Sequence, residues 1–234
     1  MRIEIVPARF FRWQCAVIAG LLLLHLGFGL LDVLGGHDRV LGLARFFDMR
    51  REANLPTFVS ALTLLAAGIA AAAVAASYRR PREGYAATWS WITAALLFAA
   101  VDEAAQLHEI LSRPLRSALG TSGPFYFAWV VPYSVAIVVG TLLAVPAIRA
   151  LGREPARCVL VGTAVIFTGA VGIEMLQGAL WSRAGAASSR TLLNFSLATC
   201  EETLEMIGGA YLLRGLLAGL ADRLGGQPVW LHLG

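Results

Sequence analysis

Six apolar stretches, each long enough to cross about 30 Å of hydrocarbon, divide the chain: Trp13 to Leu34, Pro56 to Tyr78, Ala86 to Leu111, Phe125 to Ile148, Cys158 to Trp181 and Thr191 to Leu213. Short polar connections separate them, with no internal repeat, linker or second domain. The pattern predicts an all-α fold, a polytopic membrane helical bundle with six transmembrane helices in a single domain over 1–234. The charged leader Met1–Arg12 precedes an apolar run too long for a signal peptide and without a small-residue cleavage site, so it reads as an uncleaved first span.

Composition strengthens the membrane reading. Of 234 residues, 58% are hydrophobic and 15% charged, and the mean hydropathy is +0.69, so too little polar surface remains to coat a soluble globule. All nineteen basic residues are Arg, which excludes lysine chemistry such as a Schiff base. The Ala/Leu/Gly/Arg richness points to a high-GC bacterial genome and hence to the bacterial inner (cytoplasmic) membrane. A pI of 9.3 does not imply nucleic acid, because Arg in short loops is what membrane orientation requires. Cys15, Cys158 and Cys200 are scattered through apolar runs without a CxxC, and core packing is the expectation for them.

Arginine also sets the predicted orientation. With the N-terminus inside, cytoplasmic segments hold eleven Arg and outer segments eight, four of these in the loop from Gly35 to Leu55. That loop contains the amphipathic stretch Leu41-Gly-Leu-Ala-Arg-Phe-Phe-Asp48, suited to the headgroup surface. Trp13, Trp89, Trp91, Tyr78 and Tyr85 fall at inner ends, whereas Phe125, Tyr126, Trp129 and Trp181 fall at outer ends, as interfacial belts would be placed. The prediction is N-in/C-in.

Ionisable groups inside spans are costly, so their distribution is informative. Spans two and four hold none, which suits sheath helices. Span three carries Asp102, Glu103, Gln106, His108 and Glu109, span five Glu174 and Gln177, span six Glu201, Glu202 and Glu205, and span one His25 and Asp32. At helical spacing, Asp102, Gln106 and Glu109 share a stripe with His108 well off it, and Glu201, Glu202 and Glu205 share one sector. Asp102 and Glu174 both rise about 24–26 Å from the cytoplasmic ends, so the acids share the outer half of the bundle. The loop adds Asp48, Glu52 and Asn54 at the expected cavity mouth, just before Pro56.

Carboxylates this crowded cannot all stay ionised in a low-dielectric interior. Bound cations, shared protons, or salt bridges to Arg113, Arg116, Arg183 and Arg190 are the available remedies. A metal reading makes Asp102, Glu103, His108, Glu109, Glu174, Glu201, Glu202 and Glu205 ligand candidates, for Fe, Mn or Zn. Known motifs do not apply. His108-Glu109-Ile-Leu-Ser112 lacks the second His of HExxH, there is no Glu-x-x-His, and Gly120-Thr-Ser122-Gly123 reads as a turn. His25 reads as a packed histidine bonded to neighbouring backbone.

Asp48-x-x-x-Glu52-x-Asn54-x-Pro56-Thr57, Asp102-Glu103-x-x-x-x-His108-Glu109 and Glu201-Glu202-x-x-Glu205-Met206 together resemble the motif set of uncharacterised bacterial multi-pass integral membrane proteins. The resemblance runs from Asp48 to Gly209 and implies that the three motifs act as one unit, with no established function to carry over. The expectation is a periplasm-facing carboxylate/histidine site that binds metal, in a protein embedded in the lipid bilayer, with an enzyme acting on a lipid-like or quinone-like substrate within that reading. A small proton- or cation-coupled transporter and a structural subunit of a membrane complex are the alternatives. Nothing in the pattern sets an oligomeric state.

Overall fold

The computed structural model describes residues 2–35, 43–79, 84–226 and 229–232. His37, Arg39, Arg80 and Arg82 lie outside the described residues, as do the side chains of Asp32, Arg190 and His232. The described chain is all-α apart from two short strands. In order it forms β1 (Arg2–Ile5), α1 (Pro7–Gly35), α2 (Ala44–Phe47), α3 (Leu55–Arg79), α4 (Ala86–Ala105), α5 (Leu107–Leu119), α6 (Val130–Arg149), α7 (Arg153–Phe167), α8 (Glu174–Ala184), α9 (Leu192–Arg223) and β2 (Val229–His232). A π-helical segment, Thr168–Ile173, joins α7 to α8 without a break. Five helical segments are long and apolar enough to cross a membrane: Pro7–Gly29, Leu55–Arg79, Val130–Arg149, Arg153–Ala184 and Leu192–Arg223. The apolar run of α4 ends on Asp102 and Glu103, and α4 is not among them.

Local chemistry explains the helix ends. Asn54 Oδ1 accepts from the Thr57 amide at 3.0 Å and caps α3, with Pro56 in the first turn, where its missing N–H costs nothing. Thr191 Oγ1 accepts from the Asn194 amide at 3.1 Å and caps α9. Gly120, at φ 62°, takes the left-handed C-cap that ends α5.

The long α9 is the centre of the bundle, packed against α1, α3 and α7. Its approach to α7 depends on missing side chains. A Cβ on Gly162 would stand 2.6 Å from the Leu212 amide nitrogen, and one on Gly208 2.8 Å from that of Ile166, the close backbone packing that small residues allow between membrane helices. Gly215 and Gly219 are similarly closed, against Cys158 and Leu151 respectively.

Two expectations change. The helix of span two, α3, is no sheath: it lies between α4 and α9, and Ala67, Ala71, Val74 and Tyr78 are fully buried or nearly so. Spans without charges therefore need not face lipid. The aromatic belts are also only partial, since Trp89, Tyr78 and Trp129 are buried inside the bundle while Trp13, Trp91 and Phe125 remain exposed. Trp129 finds a protein partner for its polar tip, Glu174, which removes its need for an interface.

The helices alternate in direction between two ends. At one end Arg223 Nε donates to Ser77 Oγ at 2.7 Å, Arg214 pairs with Glu154 at 2.7 Å, and β1 pairs antiparallel with β2 from Arg2↔His232 to Ile5↔Val229. From that end, α4 runs along α3 from Tyr85, whose ring meets Tyr78, up to Asp102 near the start of α3.

Candidate functional site

Span three was expected to be one helix from Ala86 to Leu111, and it is two. Gln106 takes a left-handed conformation, φ 58° and ψ 39°, between α4 and α5. The break redirects the polar residues. Asp102 Oδ1 accepts from the His108 amide at 2.9 Å, and Asp102 Oδ2 lies 3.1 Å from His108 Nδ1. On an unbroken helix His108 would point away from Asp102; here the two are partners. Tyr133 on α6 completes the clamp, its hydroxyl donating to Asp102 Oδ1 at 3.1 Å.

The other face of the imidazole looks into a cavity. His108 Nε2 is 3.4 Å from Glu52 Oε1, and single ligand atoms of Glu52, His108 and Glu109 all lie within 4.8 Å of one another. Glu52 Oε2 is buried and has no hydrogen-bond partner. Glu103, Glu202 and Glu205 stand within electrostatic reach of His108 and of each other. Deeper along the α8 wall, Glu174 is buried and accepts from Trp129 Nε1 at 3.1 Å. Gln177 donates to Glu201, and Glu174 and Glu201 line the same part of the cavity. All eight predicted ligand candidates therefore line one cavity of about 1270 Å³. They meet across open space, since α4 packs on α3 rather than on α9.

The predicted mouth residues divide. Glu52 is drawn into the site. Asp48 lines the cavity but is engaged by Arg50 at 2.8 Å and Arg51 at 3.3 Å. Burial alone would raise the pKa of Asp48; the hydrogen bonds and charge of Arg50 outweigh it and hold the group below the ordinary carboxylate range. Asn54 is turned to backbone, donating to Asp48 O at 2.8 Å as it caps α3, and does not line the cavity. His25 is fully buried and pins this loop: the Met49 amide donates to its Nδ1 at 3.1 Å, and its Nε2 lies 2.8 Å from Thr199 Oγ1 on α9. Cys200 is exposed rather than packed inside, and only Cys158 of the three thiols is buried.

The α8 wall owes its aim to the π segment. An extra residue in the turn before Glu174 rotates α8 relative to α7, and such bulges recur at functional sites. Gly169 within it sits so close to α9 that a Cβ would lie 2.9 Å from Glu201 O.

Trp129 and Tyr133 are site residues that the sequence did not single out. They lie one turn apart at the start of α6 with polar tips inward; the position of Trp129 near a span end made it read as a belt aromatic, and nothing in the sequence marked Tyr133. Arg113 and Arg116 line the cavity, yet among the described residues no arginine forms an ion pair with Glu103, Glu109, Glu174, Glu201, Glu202 or Glu205. Among the described residues the cavity acid held by arginine is Asp48, through Arg50 and Arg51 rather than the arginines expected.

The family described as "Domain of unknown function (DUF8692)" matches residues 15–220. The chain belongs to this family. The match takes in the Asp48–Thr57 loop, the broken α4–α5 pair and the acidic stretch of α9 together, and the family carries no assigned function. No curated protein matches, and no solved structure matches.

Proposed function

We propose that this chain is a six-span inner-membrane protein that holds a divalent metal ion, iron, manganese or zinc, at Glu52, His108 and Glu109, in a site facing the periplasm. The observation that carries the reading is the state of His108. Its Nδ1 is anchored by Asp102 at 3.1 Å, which leaves Nε2 directed at Glu52. A carboxylate on one ring nitrogen is the usual way a protein orients an imidazole whose other nitrogen binds metal. The donor set, one imidazole and several carboxylate oxygens, suits these ions, and the unpartnered Glu52 Oε2 is a ligand atom in want of a cation. Glu103, Glu202 and Glu205, which no arginine pairs with among the described residues, also gain from a cation.

Support for a sixth crossing comes from parity. The paired strands precede α1 and follow α9, so an even number of crossings joins them, and α4 is the helix that makes the count even. The arginine balance puts that end in the cytoplasm. A metal so placed supplies Lewis-acid or redox chemistry inside the bilayer, and an enzyme is the fuller form of the reading. Metal analysis of protein purified without chelators tests it: wild type carries stoichiometric metal, and Glu52→Gln and His108→Ala lose it. Metal-free wild type that cannot be reloaded sinks the proposal. The crowding of Glu174, Glu201, Glu202 and Glu205 on one cavity wall favours a second reading, proton-coupled transport, which predicts pH-dependent flux in liposomes without metal.

A further inference from the structure

The cavity is much longer than a metal site needs. Below the acids it continues as an apolar shaft bounded by Ile92 and Leu96 of α4, Ala144 and Ile148 of α6, and Val159 and Leu216 on the opposite wall. From Glu205 to Leu216 the shaft covers about 16 Å of helix rise. Its total volume, about 1270 Å³, exceeds the roughly 300–1,000 Å³ of ordinary small-molecule sites. Trp91 and Phe98 line it and are 40% and 51% exposed, where α4 packs closely on α3 but only loosely on α6.

Above the acids the lining changes sign. On α5, His108, Glu109, Ser112, Arg113 and Arg116 recur at helical spacing and all line the cavity. From His108 to Arg116 this polar face rises about 12 Å. Arg116 is set by donating to Tyr126 O at 3.3 Å and by stacking on the Tyr126 ring at 4.0 Å, and neither Arg113 nor Arg116 pairs with a carboxylate among the described residues. Two further groups on the lining lack partners although their residues are more than nine-tenths buried: Ser112 Oγ and Asn194 Oδ1.

We infer that the cavity binds a phosphate-bearing lipid, its phosphate at Arg113 and Arg116 with the Ser112 hydroxyl, and its apolar chain in the shaft. The inference takes the membrane placement from the proposed function and needs no bound metal. A phosphate fits because guanidinium groups recognise it through charge-assisted hydrogen bonds, and the chain fits because the shaft is apolar and its α4 and α6 walls pack only loosely on each other. The linkage between phosphate and chain then lies beside Glu52, His108 and Glu109.

The test compares two fluorescent probes of equal chain length, an NBD-labelled lysophosphatidic acid and an NBD-labelled monoacylglycerol, binding to full-length protein in detergent. Wild type is expected to prefer the phosphate probe by at least about tenfold. The double variant Arg113→Gln/Arg116→Gln loses the preference. Ala95→Phe, at an exposed position of α4 that also lines the shaft, weakens both probes while preserving the preference, and both variants keep the wild-type gel-filtration profile. Equal binding of the two probes by wild type, or an unchanged preference in the double arginine variant, overturns the inference. Displacement by inorganic phosphate as effectively as by unlabelled lipid also overturns it, in favour of a free anion. Metal analysis of the same preparations separates the readings: metal-free protein that keeps the preference defeats the metal proposal alone, and metal-loaded protein without the preference defeats the lipid inference alone.

Discussion

His108 Nδ1 reaches Asp102 Oδ2 at 3.1 Å across a helix break, and the whole site is arranged around that contact. Because Asp102 takes the backbone N–H and the ring nitrogen of the same residue, it both restarts the chain at α5 and fixes the imidazole that α5 carries. In the proposed metal site the side chain is therefore a positioning group rather than a ligand. Asp102→Asn keeps an acceptor for the Tyr133 hydroxyl but removes the charge that supports the imidazole. Loss of the carboxylate that orients a metal-binding imidazole weakens metal affinity by about 10–100-fold, and chelator competition on the purified variant measures it.

The left-handed Gln106 makes the contact possible. Glycine adopts that conformation freely, so Gln106→Gly retains metal and thermal stability. A β-branched residue adopts it less readily than Gln does, so Gln106→Val lowers both thermal stability and metal content, as His108 swings from Asp102. Melting in detergent with parallel metal analysis follows both. Equal behaviour of the two variants would remove the break from the account.

What was legible in the sequence follows from what periodicity and apolarity encode. Span positions were readable because the bilayer demands unbroken apolar runs, and the acids converge because such residues avoid lipid. The break at Gln106 carries no signal, since Gln is an ordinary helix former and neither Gly nor Pro marks the spot. Helical arithmetic through it therefore placed His108 off the stripe of Asp102 and Glu109, although its acidic neighbours kept it among the candidates. Glu52 was read as a mouth residue because its distance from His108 is set by His25, 27 positions earlier, pinning Met49, a tertiary contact with no local trace. The π segment before Glu174 is equally silent, although Gly169 and Gly172 mark the region as permissive.

Close helix packing makes a separate prediction. Gly162→Ala forces a methyl group against the Leu212 nitrogen and Gly208 O at 2.6 and 2.7 Å, and overpacking of this sort costs about 1–3 kcal/mol. Gly27→Ala, with nothing within 4 Å of the new Cβ, is the control and melts no lower than wild type.

Asp48 predicts an acid limb in stability. Its pKa is held down in the folded protein by Arg50, so the stabilisation is fully present above the unfolded value near about 4 and is lost as pH falls through the lower folded value. Melting temperatures of wild type and Asp48→Asn should differ at neutral pH and converge in strong acid. A difference that stays constant across the titration would mean that Asp48 acts through packing alone.

The last prediction separates ligands from neighbours within the acidic cluster. Glu52 has one oxygen facing His108 Nε2 and another buried without a partner, whereas Glu202 faces chiefly other acids, Glu205, Glu103 and Glu52. Removing a ligand lowers metal content and forfeits the stabilisation that a bound ion lends the folded state by mass action. Removing a bystander relieves like-charge crowding instead. Glu52→Gln should therefore lose metal and melt lower than wild type in metal-supplemented buffer, while Glu202→Gln keeps its metal and melts no lower. The reverse outcome would move the ion from the α5 side of the cavity to α9, with Glu202 and Glu205 as its ligands. Loss of metal in both variants would instead mark a site that spans the cavity, a dinuclear centre with metals about 4 Å apart bridged by acids from both walls.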